Sequence, residues 1–322
     1  MEKIKLHNTD LTVSEICLGT VNYGSHYSKE ESCLQMNTFL EAGGNFLDTA
    51  LVYGDWGNEK SSSEKIIGQF LKEKQARSKV VLSTKGCHPF LETMHISRMN
   101  VECLGEDVER SLRHLQTDYI DLYFLHRDNE NTPVEEILEG LEGQVKKGNL
   151  RYYGFSNWTL ARAKEAEMYA KAHGLKGFVC NQAEFGLADV NEKPKDQVVL
   201  ENDFYQYHKE TQLNAMAYQC QANGYFARRL QGREIPENQK KRYAGPGNDA
   251  IFEKLKEFEK AGCFANHFLL NYIRKCKFPA IPICGCRTVK QLEDSIRGIN
   301  EKVPGQMLEE LISLKKKQVY DW

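Results

Sequence analysis

Four residues of this chain carry side chains that could act on one another. Asp48 and Tyr53 lie in "NFLDTALVYG", Lys85 in "VVLSTKG" and His126 in "DLYFLH". Each ends or closely follows a short apolar run, where packing has no use for a charge. Tyrosine is a weak acid at neutral pH, with a reference pKa near ~10. An ammonium within a few ångströms favours the phenolate and lowers that value, and a carboxylate beside the ammonium keeps it charged. A histidine across the same space can hydrogen-bond a carbonyl and orient it. Together the four make a proton donor beside a polarised C=O but supply no nucleophile. Hydride from a nicotinamide is the natural attacking group. A neutral Lys85 could instead form an imine with a carbonyl, the chemistry of a Schiff-base lyase. Asp48 argues against that, because it holds the lysine charged.

Taken singly, each residue has a plainer reading. A lysine after a strand is usually a solvated end, and a lone histidine there is usually a hydrogen-bonding residue. Asn and Ser after a strand commonly cap the next helix, and Ser156, Asn157 or Thr159 could do so before "LARAKEAEMYAKAHG". What weakens these readings is coincidence, since all four residues close neighbouring strands.

Those strands are short and nearly all apolar, as parallel strands covered on both faces should be. The pattern predicts them at Ile16–Gly19, Asn45–Thr49, Val80–Thr84, Ile120–Leu125, Tyr152–Ser156, Phe178–Gln182, Ala215–Tyr218 and Ala280–Ile283. Amphipathic stretches separate them. In "SSSEKIIGQFLKEK" Ser61 and Glu64 have capping-box spacing. "VEEILEGLEGQVKKG" follows Pro133, opens with acids and ends in Lys146, Lys147 and Gly148, an order that suits the helix dipole and a glycine C-cap. Eight such βα units predict an α/β fold of the (β/α)₈ TIM-barrel type as a single domain over residues 1–322. An open doubly wound sheet is the rival, but "CLGTVNYG" after the first strand is no GxGxxG turn. Residues 1–14 read as a β-hairpin that could plug the barrel floor. Residues 223–248 read as a long polar loop, rich in Arg, Lys, Gly and Pro.

Composition narrows the partners. The chain has 322 residues and a formal net charge of −2, with pI near 6.5, which gives no electrostatic case for nucleic acid or an anionic membrane. No segment has the ~20 apolar residues of a membrane span, and "MEKIKLHNTDLTV" lacks the apolar stretch of a signal peptide. The ten cysteines are scattered, and Cys284 and Cys286 lack the second pair or histidines that a zinc site would need. Reduced thiols in a cytoplasmic protein without a metal are the expectation.

The motifs in order are "ICLGT", "NFLDTALVYG", "STKG", "IDLYFLHR", "GNLRYYGFSNW", "NQAEFG" and "IPICGCRTVKQLEDS". They run nearly the whole length, and together the chain resembles the aldo-keto reductases. That resemblance implies NADPH-dependent reduction of an aldehyde or ketone, with NADH as the alternative cofactor. It implies Tyr53 as general acid, with Asp48, Lys85 and His126 completing a tetrad. It implies nicotinamide contacts from Ser156, Asn157 and Gln182, and a ring-stacking Tyr218. After the eighth strand, Arg287, Thr288, Gln291, Asp294 and Ser295 match the family's adenosine-phosphate site. Arg287 would grip the 2′-phosphate, and Thr288 opens a helix whose N-terminus favours anions. Some members of the family bind nicotinamide and regulate a partner instead, a further alternative.

The chain departs from the family in places. Gln219 and Gln221 stand where a Ser-Pro-Leu stretch usually covers the pyrophosphate. Ser295 replaces a common Asn, and Gly285 a common Lys. The link "YGDWGNEKSSSE" is longer than usual, which moves Trp56 and Asn58 towards the substrate mouth. Asn22, Tyr23, Trp56, His88, Arg127 and Trp158 are the expected pocket wall. Aromatic surface with hydrogen-bonding groups suits a sugar-like carbonyl, and also a small aromatic aldehyde.

Overall fold

The protein, described as a computed structural model over residues 1–318 and 320, closes eight parallel strands into a barrel. Two strands precede it, β1 (Lys3–Lys5) and β2 (Thr12–Ser14), paired antiparallel. The barrel strands are β3 (Cys17–Gly19), β4 (Phe46–Asp48), β5 (Val81–Gly86), β6 (Ile120–Leu125), β7 (Leu150–Ser156), β8 (Cys180–Glu184), β9 (Asn214–Tyr218) and β10 (Ala280–Cys284). Each pairs with the next, and β10 returns to β3, so no edge is left open. Closure disposes of the doubly wound alternative.

Side chains alternate along a strand, so every second residue enters the barrel. Cys17, Phe46, Val81, Leu122, Phe124, Cys180, Met216 and Ile281 form one interior cluster. Leu6, Leu11 and Val13 of the hairpin belong to the same cluster, so the hairpin does plug the floor. Gly154 is needed beside it: a Cβ there would lie 2.6 Å from Phe124 Cε1. The opposite faces, including Leu18, Leu47, Leu82, Tyr123, Leu125 and Phe155, join the larger core beneath the helices.

Local signals in the sequence fared unevenly. The helix Val134–Lys146 follows Pro133, and Gly148 adopts φ +81° beyond its end. Thr159 caps Leu160–His173 by accepting from Arg162 N–H. The Ser61–Glu64 capping box is absent. Ser61 sits at φ 54° with no side-chain cap, ahead of the helix Ser62–Glu73. Glu64 turns inward instead, accepting from Thr84 Oγ1 at 2.6 Å and lying 3.1 Å from His114 Nδ1. A buried carboxylate must find hydrogen-bond donors, and Glu64 finds them across the helix–strand interface.

Residues 223–248 are not a long loop. Most of the segment is helical, with Tyr225–Leu230 and Glu237–Tyr243, and Pro246–Lys260 begins within it. Pro236 and Pro246 stand where prolines start helices. Polar composition hid helices too short to show an apolar face.

Candidate active site

The alternation that fills the barrel also aims its polar residues. Phe46 and Asp48 share the inward face of β4, Val81, Ser83 and Lys85 that of β5, and Leu122 and Phe124 that of β6, with His126 next in step. Asp48 pairs in register with Ser83 on β5, and Lys85 with Phe124 on β6. Lys85 thus lies within its strand, not after it. Its Nζ lies 2.7 Å from Asp48 Oδ2 and 2.6 Å from Thr49 O. Asp48 Oδ1 accepts from Ser83 Oγ at 2.8 Å and from Gln182 Nε2 at 3.0 Å.

Tyr53 reaches the same place from a loop. Leu51 N–H donates to Lys85 O, and Tyr53 N–H to Ala50 O, which folds the chain back over β5. Gly54, at φ +90°, completes the turn, and any Cβ there would fall 1.9 Å from Ser62 Oγ. Hence the glycine after the tyrosine. Lys85 Nζ then lies 4.6 Å from the centre of the Tyr53 ring, and the His126 ring 5.7 Å from it.

Electrostatics at this centre has definite directions. Burial disfavours the charged form of Lys85, but Asp48 and Tyr53 outweigh it, and its pKa is raised. Lys85 is an ammonium. Burial pushes the Tyr53 phenol up, and although Lys85 pulls it down, the net shift is upward. The simple expectation of a lowered phenol pKa therefore fails, because desolvation exceeds the lysine's attraction. Burial, then the neighbouring His88, Arg127 and Lys85, hold His126 well below the usual histidine range. His126 is neutral, and its Nδ1 is buried without a hydrogen-bond partner.

A cleft of about 580 Å³ opens over these groups, within the range of cofactor sites. Asn22, Asp48, Tyr53, His126, Arg127, Ser156, Asn157, Gln182, Tyr218 and Arg287 all line it. Asn157, at φ 64°, donates to Ser156 Oγ and His126 O. Its Oδ1 accepts from Tyr218 OH at 2.8 Å and from Val198 N at 3.2 Å.

The residues after β10 divide. Thr288 caps the helix Val289–Asn300, and Gln291 Oε1 accepts from Arg287 N–H at 2.8 Å. Asp294, held down to about pKa 2 first by His267, whose Nε2 lies 3.5 Å away, is also bonded to Asn266 and Arg297. Ser295 is buried beneath Gln221, whose Nε2 donates to it at 3.1 Å. Neither Asp294 nor Ser295 lines the cleft.

The expected substrate wall needs correction. Trp158 is fully buried, with its ring 5.1 Å from Phe178 and its Nε1 donating to Arg127 O. It is core, because the helix after β7 covers it. Tyr23 is likewise buried, with its hydroxyl donating to Gln35. His88 lines a small recess beside the cleft, its ring 4.8 Å from His126 and its Nδ1 on Pro89 O. Trp56 is 44% exposed, 6.4 Å from Tyr53 ring to ring, and donates to Ser25 Oγ.

Several site residues escaped the sequence reading. Gln197, Asn223 and Gln239 line the cleft, beside the Gln219 and Gln221 that stand in place of the family's Ser-Pro-Leu stretch. Gln239 donates to Asn223 O, leaving a buried Oε1 without a partner. The helix that carries it is tied down by Arg242, whose guanidinium pairs with buried Glu184. An acid ending β8 and an arginine in the polar segment were the available signals, but nothing in one sequence pairs them. That bond removes Arg242 from phosphate binding, and Arg229 is held by Asp249 at 2.6 Å. Among the described residues, Arg127 and Arg287 are the cations lining the cleft. Among the described residues, no group of three His, Cys, Asp or Glu could hold a metal, and no helix is long and apolar enough to cross a membrane.

The chain as a whole has relatives among known proteins. The Aldo/keto reductase family model matches residues 15–316, and the chain belongs to that family. It is 30% identical to the uncharacterized oxidoreductase YrpG of Bacillus subtilis, over 96% of this chain and 94% of that one. It is 28% identical to norsolorinic acid reductase stcV of Emericella nidulans, over 94% of this chain and 78% of that one. In fold it is similar to the holo form of aldo-keto reductase AKR11C1 from Bacillus halodurans, with TM-score 0.77, 24% identity, and coverage of 100% and 98% of the two chains.

Proposed function

We propose that this protein reduces an aldehyde or ketone to an alcohol with a nicotinamide dinucleotide, and that Tyr53 is the general acid. The observation that carries the reading is the Lys85 ammonium, 2.7 Å from Asp48 and 4.6 Å from the Tyr53 ring centre, with neutral His126 on the other side. A bound reduced nicotinamide supplies the hydride that these side chains lack.

The cleft suits that cofactor chemically. Its wall carries amide and hydroxyl groups along its length, a cation at Arg287, and an orphaned buried acceptor on Gln239. Ser156, Asn157 and Gln182 would hold the carboxamide, Tyr218 would face the ring, and Arg287 would take the 2′-phosphate of NADPH. Thr288 and Gln291 order the loop that carries Arg287. Asp294 and Ser295 would act through Asn266 and Gln221, which they hold. NADPH is the preferred form because Arg287 has no carboxylate partner among the described residues, and NADH is the alternative.

In the reaction, neutral His126 donates a hydrogen bond to the substrate oxygen and turns the carbonyl towards Tyr53. As charge develops on that oxygen, Tyr53 passes it the hydroxyl proton. The nearby Lys85 charge stabilises the phenolate left behind, and Asp48 keeps Lys85 from moving. The burial that raises the phenol's pKa keeps it protonated until substrate arrives. A Schiff-base role for Lys85 fits poorly, since its pKa is raised and the ammonium stays charged.

For substrate, Asn22 and Arg127 offer polar contacts at the mouth, which favours a hydroxylated, sugar-like carbonyl over an apolar aldehyde. The test is oxidation of NADPH by purified protein across keto-sugars, aldo-sugars and aromatic aldehydes. Turnover of carbonyls is expected. Tight NADPH binding with no turnover of any of them would favour the regulatory reading, and much faster turnover of simple aromatic aldehydes would overturn the sugar-like one.

A further inference from the structure

Arg127 follows His126, faces the cleft, and takes no part in the proposed proton transfer. Its Nη1 donates to His126 O at 3.0 Å and its Nε to Asp196 Oδ2 at 2.8 Å. Nη2 has no hydrogen-bond partner among the described residues. Its charge bears on Tyr53, His126, His88 and Tyr218 alike, so it stands close to the reacting centre. Lys85, the other cation here, is paired with Asp48 and both side chains are almost wholly buried. At this end of the cleft Arg127 is the cation whose partner is open to solvent.

Its present counter-ion comes from the chain itself. Asp196 lies on the segment between β8 and the helix Asn202–Thr211, and its side chain is 46% exposed against 18% for Arg127. An ion pair with one solvated partner holds weakly. A carboxylate bound inside the cleft would meet Arg127 in a drier place and could use two N–H groups, a stronger arrangement.

We propose that the substrate carries an anionic group, a carboxylate, beside its carbonyl, that Arg127 grips it, and that Asp196 is a resident carboxylate which the substrate displaces. This rests on the reductase reading and narrows it to oxo acids or formyl acids, sugar-like acids among them. Arg127 would set specificity, and Asp196 would set the apparent affinity by competing for it.

The test compares ortho-, meta- and para-formylbenzoate with their methyl esters as substrates, and titrates benzoate onto the protein by calorimetry. At least one acid is expected to show a KM roughly ten- to a hundredfold below that of its ester, the span of a charge-assisted hydrogen bond. Arg127→Met should erase that preference and benzoate binding together. Asp196→Asn should lower the acid's KM and tighten benzoate, leaving kcat and the ester's KM as they were. A purely structural latch would not move in that direction. Esters matching or beating the acids in every pair would overturn the proposal, as would an Asp196→Asn variant that weakens acid and ester together. If no carbonyl is turned over, the reductase reading fails, while benzoate binding that depends on Arg127 still decides this one.

Discussion

Lys85 Nζ and Asp48 Oδ2 lie 2.7 Å apart, both side chains almost completely buried, although 37 residues separate them in sequence. Adjacent parallel strands bring them together, and the pair leaves an ammonium under the Tyr53 ring. Removing one partner of a buried pair strands the other charge, at a cost of about 3–5 kcal/mol. Asp48→Asn is therefore predicted to lower unfolding stability by that order and to cut kcat at least tenfold. Denaturant titration and turnover measured on the same preparation check it, and unchanged values of both would detach Asp48 from the centre.

Tyr53→Phe keeps the ring and removes the proton donor. Reduction should fall by about 10²–10⁴, the usual size of a general-acid contribution. NADPH affinity, measured by calorimetry, should hardly change. A large loss of cofactor binding would contradict the role given to the hydroxyl.

Arg287→Ala should weaken NADPH much more than NADH, because only NADPH carries the extra phosphate. A charge-assisted contact predicts roughly tenfold or more. Equal losses for both dinucleotides would mean that another group grips the phosphate. Arg242 is a poor candidate, given its bond to Glu184.

Trp158→Ala and Trp56→Ala should separate core from mouth. Trp158 is fully buried, and its truncation should cost about 3–5 kcal/mol of stability. Trp56 is 44% exposed, so its loss should leave stability nearly intact and raise substrate KM. A Trp158 variant of native stability would refute its placement in the core.

Acid should destabilise the fold through buried neutral histidines. His208 is pushed down to about pKa 4 by burial, with Leu213 O accepting from its Nδ1 and Asn181 bonded to Nε2. A depressed histidine binds its proton less readily folded than unfolded. Its contribution is thus intact above about pH 6.5 and lost as the pH falls towards 4, amounting to roughly 3 kcal/mol. His126 adds in the same direction. Stability measured between pH 7 and 4 should fall, and His208→Gln should flatten the slope.

Much of this was legible in the chain. Eight short apolar runs separated by amphipathic stretches call for parallel strands covered on both faces, and the number eight with no glycine-rich turn after the first favours a barrel over an open sheet. Strict alternation then forces Asp48, Lys85 and His126 inward once Phe46, Val81 and Phe124 are. Three of the four are readable because they obey a period of two, whereas Tyr53 arrives from the loop after β4. Local rules failed where distant groups supplied the partners. Glu64 left its helix cap for Thr84 and His114, and Trp158, adjacent to the site in sequence, was taken by the core.

Only tertiary structure decided the remainder. Gln239 lines the cleft from a segment with no apolar pattern, and Arg242 and Asp196 bond to the cleft residues Gln197 and Arg127 across 45 and 69 positions of sequence. Tertiary structure also set the sign of the Tyr53 shift, since desolvation depends on everything packed around the ring and not on its neighbours in sequence. Periodicity specifies which way a residue faces; what it meets there depends on how the whole chain closes.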